Sequence, residues 1–252
     1  MTVFYFTSTG NCLAVAKRIG GTLISIPQVV DSNAIHYKDD VIGIVFPIYG
    51  FKTPKMVAKF LDKVKIEADY TFAIGTYGNM PGAAMMNLQR QAVKNGYRFD
   101  YANHLLMVDN FLPIFEMDAQ RKKLPKKNVE ENLSIILDDI KNRRHKQMSA
   151  GIATRILTKI IAAGTIRNDY HKRFSVNEKC NKCDVCAKVC PAGNIAVGDC
   201  VSFGGKCEGC LACAHLCLQN AIQLKGQRSE KRWRNPEVSL NEMIEANNRY
   251  NA

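Results

Sequence analysis

The chain has 252 residues, room for one large or two ordinary domains, and 46% of it is apolar, enough for a packed core. No apolar run reaches the ~18–20 residues of a membrane-spanning helix. The opening MTVFYFTSTGN lacks the charged and apolar regions of a secretory leader, so a cytoplasmic chain without a membrane span is expected. The net charge of +12 is concentrated, because residues 121–173 hold 14 Lys/Arg against 5 Asp/Glu. No RNP strand or helix-turn-helix accompanies it, so a solvated helical surface or a docking face for an acidic redox partner is expected, and no nucleic-acid site.

Thr2 to Phe6 reads as a short apolar strand, followed by the loop Thr7-Ser8-Thr9-Gly10-Asn11-Cys12 and a helical pattern that stops at Gly20-Gly21. The apolar run Val41 to Phe46 leads to Pro47-Ile48-Tyr49-Gly50 and a helix from about Pro54. A third unit runs from Thr71 to Thr76, through Tyr77-Gly78-Asn79-Met80-Pro81-Gly82, into a helix. A fourth strand is predicted over His104 to Val108. Apolar strands alternating with amphipathic helices predict an open α/β domain whose parallel sheet is covered on both faces. Met85 and Met86 are expected in its core. Further helices are predicted over 128–144 and 150–163. The second has Ile152, Ile156 and Ile160 on one stripe, predicting packing against a neighbouring domain, with a membrane surface as the alternative.

The last third contains an internal repeat. Cys180, Cys183, Cys186 and Cys190 are matched by Cys207, Cys210, Cys213 and Cys217, and Ile195 and Ile222 follow at the same offset. Each half is C-x2-C-x2-C-x3-C. Tightly clustered cysteines in a cytoplasmic chain favour metal or redox chemistry over disulfides, and structural zinc uses separated CxxC pairs rather than an unbroken CxxCxxC. Two 4Fe–4S clusters are the expectation. Cys12 stands at a helix start that would lower its pKa. Cys200 is expected to be a small core residue, and His215 a surface residue.

The cysteine run resembles the bacterial two-cluster ferredoxins, including Pro191 after the fourth cysteine, while Leu218 departs from the pattern in the second half. The resemblance implies crossed ligation: one cluster on Cys180, Cys183, Cys186 and Cys217, the other on Cys207, Cys210, Cys213 and Cys190.

Between strand and helix, Thr7-Ser8-Thr9-Gly10-Asn11 offers hydroxyls, a glycine and the unpaired amides of a helix N-terminus, an anion cradle without the lysine of a Walker loop. It resembles the phosphate loop of flavodoxins, with Cys12 in place of a threonine. The loops Pro47-Ile48-Tyr49-Gly50 and Thr76-Tyr77-Gly78-Asn79, with Gly82 beyond, offer tyrosine faces and glycine backbone to a flavin ring. Asn110-Phe111-Leu112-Pro113 is a further lining candidate. Asn79 stands where an aspartate is common, so little negative charge is expected near the ring.

The whole chain is similar to the flavodoxin–ferredoxin fusion proteins (EFR1 family), over residues 1–115 and 174–240. That resemblance implies FMN and two 4Fe–4S clusters. The expected architecture is α/β: a flavodoxin-like doubly wound parallel sheet over 1–145, a basic helical linker over 146–173, and a small α+β two-cluster domain with a C-terminal extension over 174–252. The expected function is electron transport between the clusters and FMN, linking a one-electron donor to a redox partner protein or small-molecule acceptor. An FMN-dependent reductase of a small organic substrate and a flavin-free cluster-bearing subunit are the alternatives. The oligomeric state is not legible.

Overall fold

The computed structural model describes residues 1–32, 35–165 and 169–249; residues 33–34, 166–168 (in the expected linker) and 250–252 lie outside the described residues. The chain opens with β1 (Thr2–Tyr5), α1 (Asn11–Ile19), β2 (Thr22–Ser25), α2 (Ile26–Val29) and β3 (Ile35–Lys38). It continues with β4 (Val41–Pro47), α3 (Lys55–Lys63), β5 (Val64–Glu67), β6 (Tyr70–Tyr77), α4 (Ala84–Lys94) and β7 (Tyr101–Leu106). Strands β2, β1, β4, β6 and β7 lie in that order, each parallel to its neighbour. Counting only these five strands, the order is 2-1-3-4-5, the flavodoxin-like doubly wound arrangement. β3 and β5 form a separate parallel pair, Ile35 opposite Val64.

The central strands are buried on both faces, as their unbroken apolar runs require. Phe4, Phe6, Phe46, Phe60 and Phe72 are fully buried, each contributing about 1.5–3 kcal/mol relative to exposure. Gly43 makes room for Phe72, whose ring would lie 1.9 Å from a Cβ at that position. Met85 is in this core, whereas Met86 is only partly buried. The fourth strand begins earlier than expected, at Tyr101, because Met107 and Val108 have already left the sheet to form a loop.

Past β7 come α5 (Met117–Lys123), α6 (Val129–Lys141) and α7 (Ile152–Thr165). α6 carries Glu130 and Glu131 in its first turn and Lys141 in its last, the polarity a helix dipole favours. α7 overturns the packing expectation. Its stripe of Ile152, Ile156 and Ile160 faces solvent at 74, 55 and 66% exposure. The inward face is Thr158 and Ala162: the Thr158 hydroxyl accepts from the Ala83 amide at 2.9 Å, and the Ala162 carbonyl accepts from Lys52 Nζ at 3.1 Å. Anchoring through polar groups leaves the isoleucines uncovered by the described residues.

The cysteine-rich part comprises β8 (Phe174–Val176), α8 (Val185–Lys188), β9 (Ile195–Val197), β10 (Val201–Phe203), α9 (Ala212–His215), β11 (Ile222–Leu224) and the final α10 (Leu240–Asn247). β8, α8 and β9 recur as β10, α9 and β11 at an offset of 27 residues. The pairing crosses between halves: β8 lies antiparallel to β11, and β10 to β9. Left-handed residues recur at the same offset, Lys182 with Gly209, Asp184 with Leu211, and Gly193 with Asn220. The duplication is therefore a backbone symmetry as well as a cysteine pattern. This part shares its core with the sheet: Val185, Val189, Ala212, Leu216 and Met243 pack in the same cluster as Leu13, Val15 and Val45.

Candidate functional site

A cavity of ≈ 380 Å³ lies over the carboxyl ends of β1, β4, β6 and β7, within the range of small-molecule sites. It sits where the winding reverses direction, β1 connecting to β2 on one side and lying beside β4 on the other. Its wall brings together Thr7, Ser8, Thr9, Asn11, Cys12, Pro47, Ile48, Tyr49, Gly50, Thr76, Tyr77, Gly78 and Asn79, from three loops. Gly10 and Gly82 are not on the wall. Gly10 precedes α1 with φ 95°, where a Cβ would also come within 3.1 Å of Asn235 and Val238. Gly82, with φ 57°, lets its loop lie against Phe51. Asn110 and Phe111 line the cavity, but Leu112 is fully buried in the core beneath.

The polar groups of this cavity fit a bound cofactor. Tyr49 Oη is buried with no well-formed hydrogen bond among the described residues, the Ser8 hydroxyl giving it only weak support, and burial raises its pKa well above the ordinary value. A phenol so poorly paired in a cavity wall is costly unless a ligand answers it. Cys12 does not behave as its helix position suggests: burial pushes its thiol up to about 12, and Sγ lies 3.1 Å from Thr76 Oγ1. The wall also holds more acid than Asn79 implied. Asp109 and Glu208 both line it, and burial raises both carboxyl pKa values. Behind Asp109, the buried Lys127 ammonium donates to the Gly78 carbonyl at 2.6 Å and to that of Met107, tying two of the loops together. Lys127 reads in the sequence as one more charge on a basic surface.

A closed ring of hydrogen bonds joins the anion cradle to the cysteine-rich part. Thr9 Oγ1 accepts from Asn110 Nδ2 at 2.6 Å, and the Asn110 carbonyl accepts from His215 Nε2 at 2.8 Å. His215 Nδ1 accepts from the Trp233 amide at 3.1 Å, and Trp233 Nε1 donates to Asn11 Oδ1 at 3.2 Å. Asn235 closes the ring, its side chain donating to Asn11 Oδ1 and its amide to the Thr9 carbonyl. His215 is therefore buried rather than at the surface, a neutral Nε2–H tautomer whose pKa burial lowers to about 4. Asn247 of α10 adds a bond to the Thr7 carbonyl. Sequence reasoning missed this ring because its members lie up to 226 positions apart.

Two smaller cavities collect the cysteines. One is lined by Cys180, Cys183, Cys186 and Cys217, the other by Cys190, Cys207, Cys210 and Cys213. Each is much smaller than the large cavity, ≈ 20 Å³ against ≈ 380 Å³. Amides of Asn194 and Ala221 point at Cys190 Sγ and Cys217 Sγ at 3.3 and 3.2 Å, and that of Gly209 at Cys207 Sγ at 3.4 Å. Burial and the neighbouring sulfurs raise the thiol pKa of Cys186 to about 11 and those of Cys210 and Cys213 well above the usual value. Ionising such a set calls for a cation among them. Among the described residues, no group of three or more His, Cys, Asp or Glu is placed to hold a metal ion. Cys200 belongs to neither set; it is exposed between the halves, not in the core.

No family model and no curated protein matches the chain. Similar solved structures include a protein of Bacteroides uniformis, 17% identical, with 48% of this chain and 95% of that one covered at a TM-score of 0.33. The two-electron reduced flavodoxin of Megasphaera elsdenii is 17% identical over 41% of this chain and 83% of its own, TM-score 0.27. The Trp repressor binding protein of Bacillus subtilis is 10% identical over 58% and 99%, TM-score 0.34. The chemistry has to be read from the site itself.

One observation organises the site. Cys207, Glu208, Cys210 and Leu211 line both the large cavity and the second cysteine cavity, so a single loop is the wall between them. The first cysteine cavity shares no lining residue with the large one and has Cys183 exposed at its mouth. Among the described residues, no helix is long and apolar enough to cross a membrane.

Proposed function

We propose that this chain is an iron–sulfur flavoprotein that passes electrons between two 4Fe–4S clusters and FMN, linking a one-electron donor to a redox partner. The wall shared between the large cavity and the second cysteine cavity carries the reading. When bound, the clusters supply one-electron storage and the flavin one- or two-electron chemistry. Thr7, Ser8 and Thr9, with the amides at the start of α1, would hold the flavin phosphate, and the ring through Asn110 and His215 keeps that loop in shape. Tyr49 and Tyr77 line the same cavity and would offer aromatic surface to the flavin ring, and Tyr49 Oη would supply a hydrogen-bond donor.

Cys207, Cys210, Cys213 and Cys190 would hold the inner cluster beside the flavin. Cys180, Cys183, Cys186 and Cys217 would hold the outer one, nearer solvent. Amides directed at Cys190, Cys207 and Cys217 favour negative charge on those sulfurs. Repetition of the unit gives both cages the same left-handed turns, which is why a single sequence device serves twice.

Anaerobic purification, with iron, sulfide and flavin assayed together, tests the reading. The expected content is about eight irons, eight sulfides and one flavin per chain. Zinc in place of iron overturns the cluster assignment. Full iron without flavin, even after incubation with FMN, turns the reading to a cluster-bearing subunit.

A further inference from the structure

The fold assembles a basic face that the sequence splits between two distant segments. One is α5 and the turn after it, with Lys122, Lys123 and Lys126 exposed; the other is the strap over 225–234, with Arg228, Lys231 and Arg234 exposed. Several bonds join them: the Arg228 amide donates to the Leu112 carbonyl at 2.8 Å, the Met117 amide to Ser229 Oγ at 3.1 Å, and Arg121 Nη2 to the Arg232 carbonyl at 2.6 Å. Three carboxylates accompany these cations. Asp118 is paired with Arg121, Glu116 caps α5, and Glu230 alone stands in the strap.

This face adjoins the outer cysteine cavity. Arg232 donates to the carbonyl of Ile222, a residue lining that cavity, and Asn220 donates to the Glu230 carbonyl at 3.0 Å. Leu218, 62% exposed directly after Cys217, supplies apolar contact area. Trp233 is buried, so the strap offers no platform for stacking bases, and α5 has seven residues, too short to read a groove.

Resting on the cluster assignment above, we infer that this face docks an acidic, protein-borne one-electron carrier and brings its redox centre to the outer cluster beside Cys217. Clustered charge of one sign steers an oppositely charged partner and fixes its orientation, and a small apolar centre suits the brief contact of electron-transfer encounters. The electron leaves the reduced carrier, which is oxidised by one unit, and reduces the outer cluster by one; no bond is made or broken.

The test uses holoprotein and a photoreduced [2Fe–2S] ferredoxin chosen for its negative net charge, with neutral photoreduced deazaflavin as a second reductant. Reversing the face (Lys122→Glu, Lys123→Glu, Arg228→Glu and Lys231→Glu together) is expected to slow the bimolecular reaction with ferredoxin about tenfold or more at low salt. Added salt should bring the unmodified protein down towards the variant. Iron content and reduction by deazaflavin should be unchanged, and Arg155→Glu with Lys159→Glu on α7 should react as the unmodified protein does. Equal ferredoxin rates for all three proteins at every salt concentration overturn the inference. So does a face that binds a DNA duplex or anionic phospholipid vesicles but not ferredoxin. If the protein holds no iron, the cluster assignment has failed separately; salt-sensitive binding of ferredoxin, measured by calorimetry and lost on charge reversal, then decides the docking face alone.

Discussion

The two cysteine halves share one backbone and differ in what surrounds them. Pro191 is buried, whereas its counterpart Leu218 is 62% exposed. Lys182 projects into solvent at a left-handed position, while its counterpart is Gly209, where a Cβ would come within 3.4 Å of the Tyr170 ring. Cys183 faces solvent, and its counterpart Cys210 faces the large cavity. The two halves therefore share a backbone and differ at their rims, one lining the large cavity and the other facing solvent. A left-handed lysine is tolerated only where its side chain is free to point away; where the loop must lie against an aromatic ring, glycine is needed.

The largest way to break that comparison is to remove one sulfur from each half. Cys210→Ser and Cys183→Ser should each cost about half of the iron, read by iron assay and electron paramagnetic resonance. Both should slow reduction of the flavin by ferredoxin, Cys183→Ser by removing the cluster where the electron enters and Cys210→Ser by removing the one beside the large cavity. A smaller effect is expected from His215→Ala, which empties a buried site and removes the bonds that His215 makes to the Asn110 carbonyl and the Trp233 amide. A loss of about 2–4 kcal/mol in urea unfolding is expected, together with weaker flavin binding, because the same ring supports Thr9.

Gly10→Ala sharpens the cradle side of the comparison. The φ of 95° disfavours any side chain, so a cost of about 1–2 kcal/mol and a roughly tenfold weaker FMN affinity are expected, measured by fluorescence titration. The smallest effect is at α10, whose Ser239 and Glu242 form a capping box. The Lys17 ammonium, then the cap, draw the Glu242 carboxyl down to about 2. Its folded pKa lies below the unfolded value of about 4.3, so this support is complete above that value and is lost as pH falls towards about 2. Glu242→Gln should cost about 0.5–1 kcal/mol near neutral pH and progressively less in acid, by denaturant titration.

The sequence made four of the five sheet strands and the three loops legible because each is a local pattern, an unbroken apolar run, then glycine and hydroxyl residues; β2, four residues with one exposed and two half-buried, carries no such signal. β3 and β5, with His36, Lys38, Lys65 and Glu67 in runs of four, carry too little apolar signal to separate from loop. Asp109, Lys127, His215 and Trp233 escaped for a different reason. Their roles depend on partners from other elements, and nothing adjacent in the chain distinguishes a buried lysine from its solvated neighbours or a bridging histidine from a surface one. The isoleucine stripe of α7 shows the converse, a clear periodic pattern that the described residues leave uncovered.

The proposed role of the loop from Cys207 to Leu211, which lies between the large cavity and the second cysteine cavity, is best tested in protein purified with flavin and iron bound. Bleaching of the flavin absorption by a photoreduced one-electron ferredoxin would be followed in the unmodified protein and in Cys210→Ser. Rapid bleaching in the first, and bleaching no faster than that of free FMN in the second, is the outcome the shared wall predicts. Equal bleaching in both would mean that electrons reach the flavin without crossing that loop.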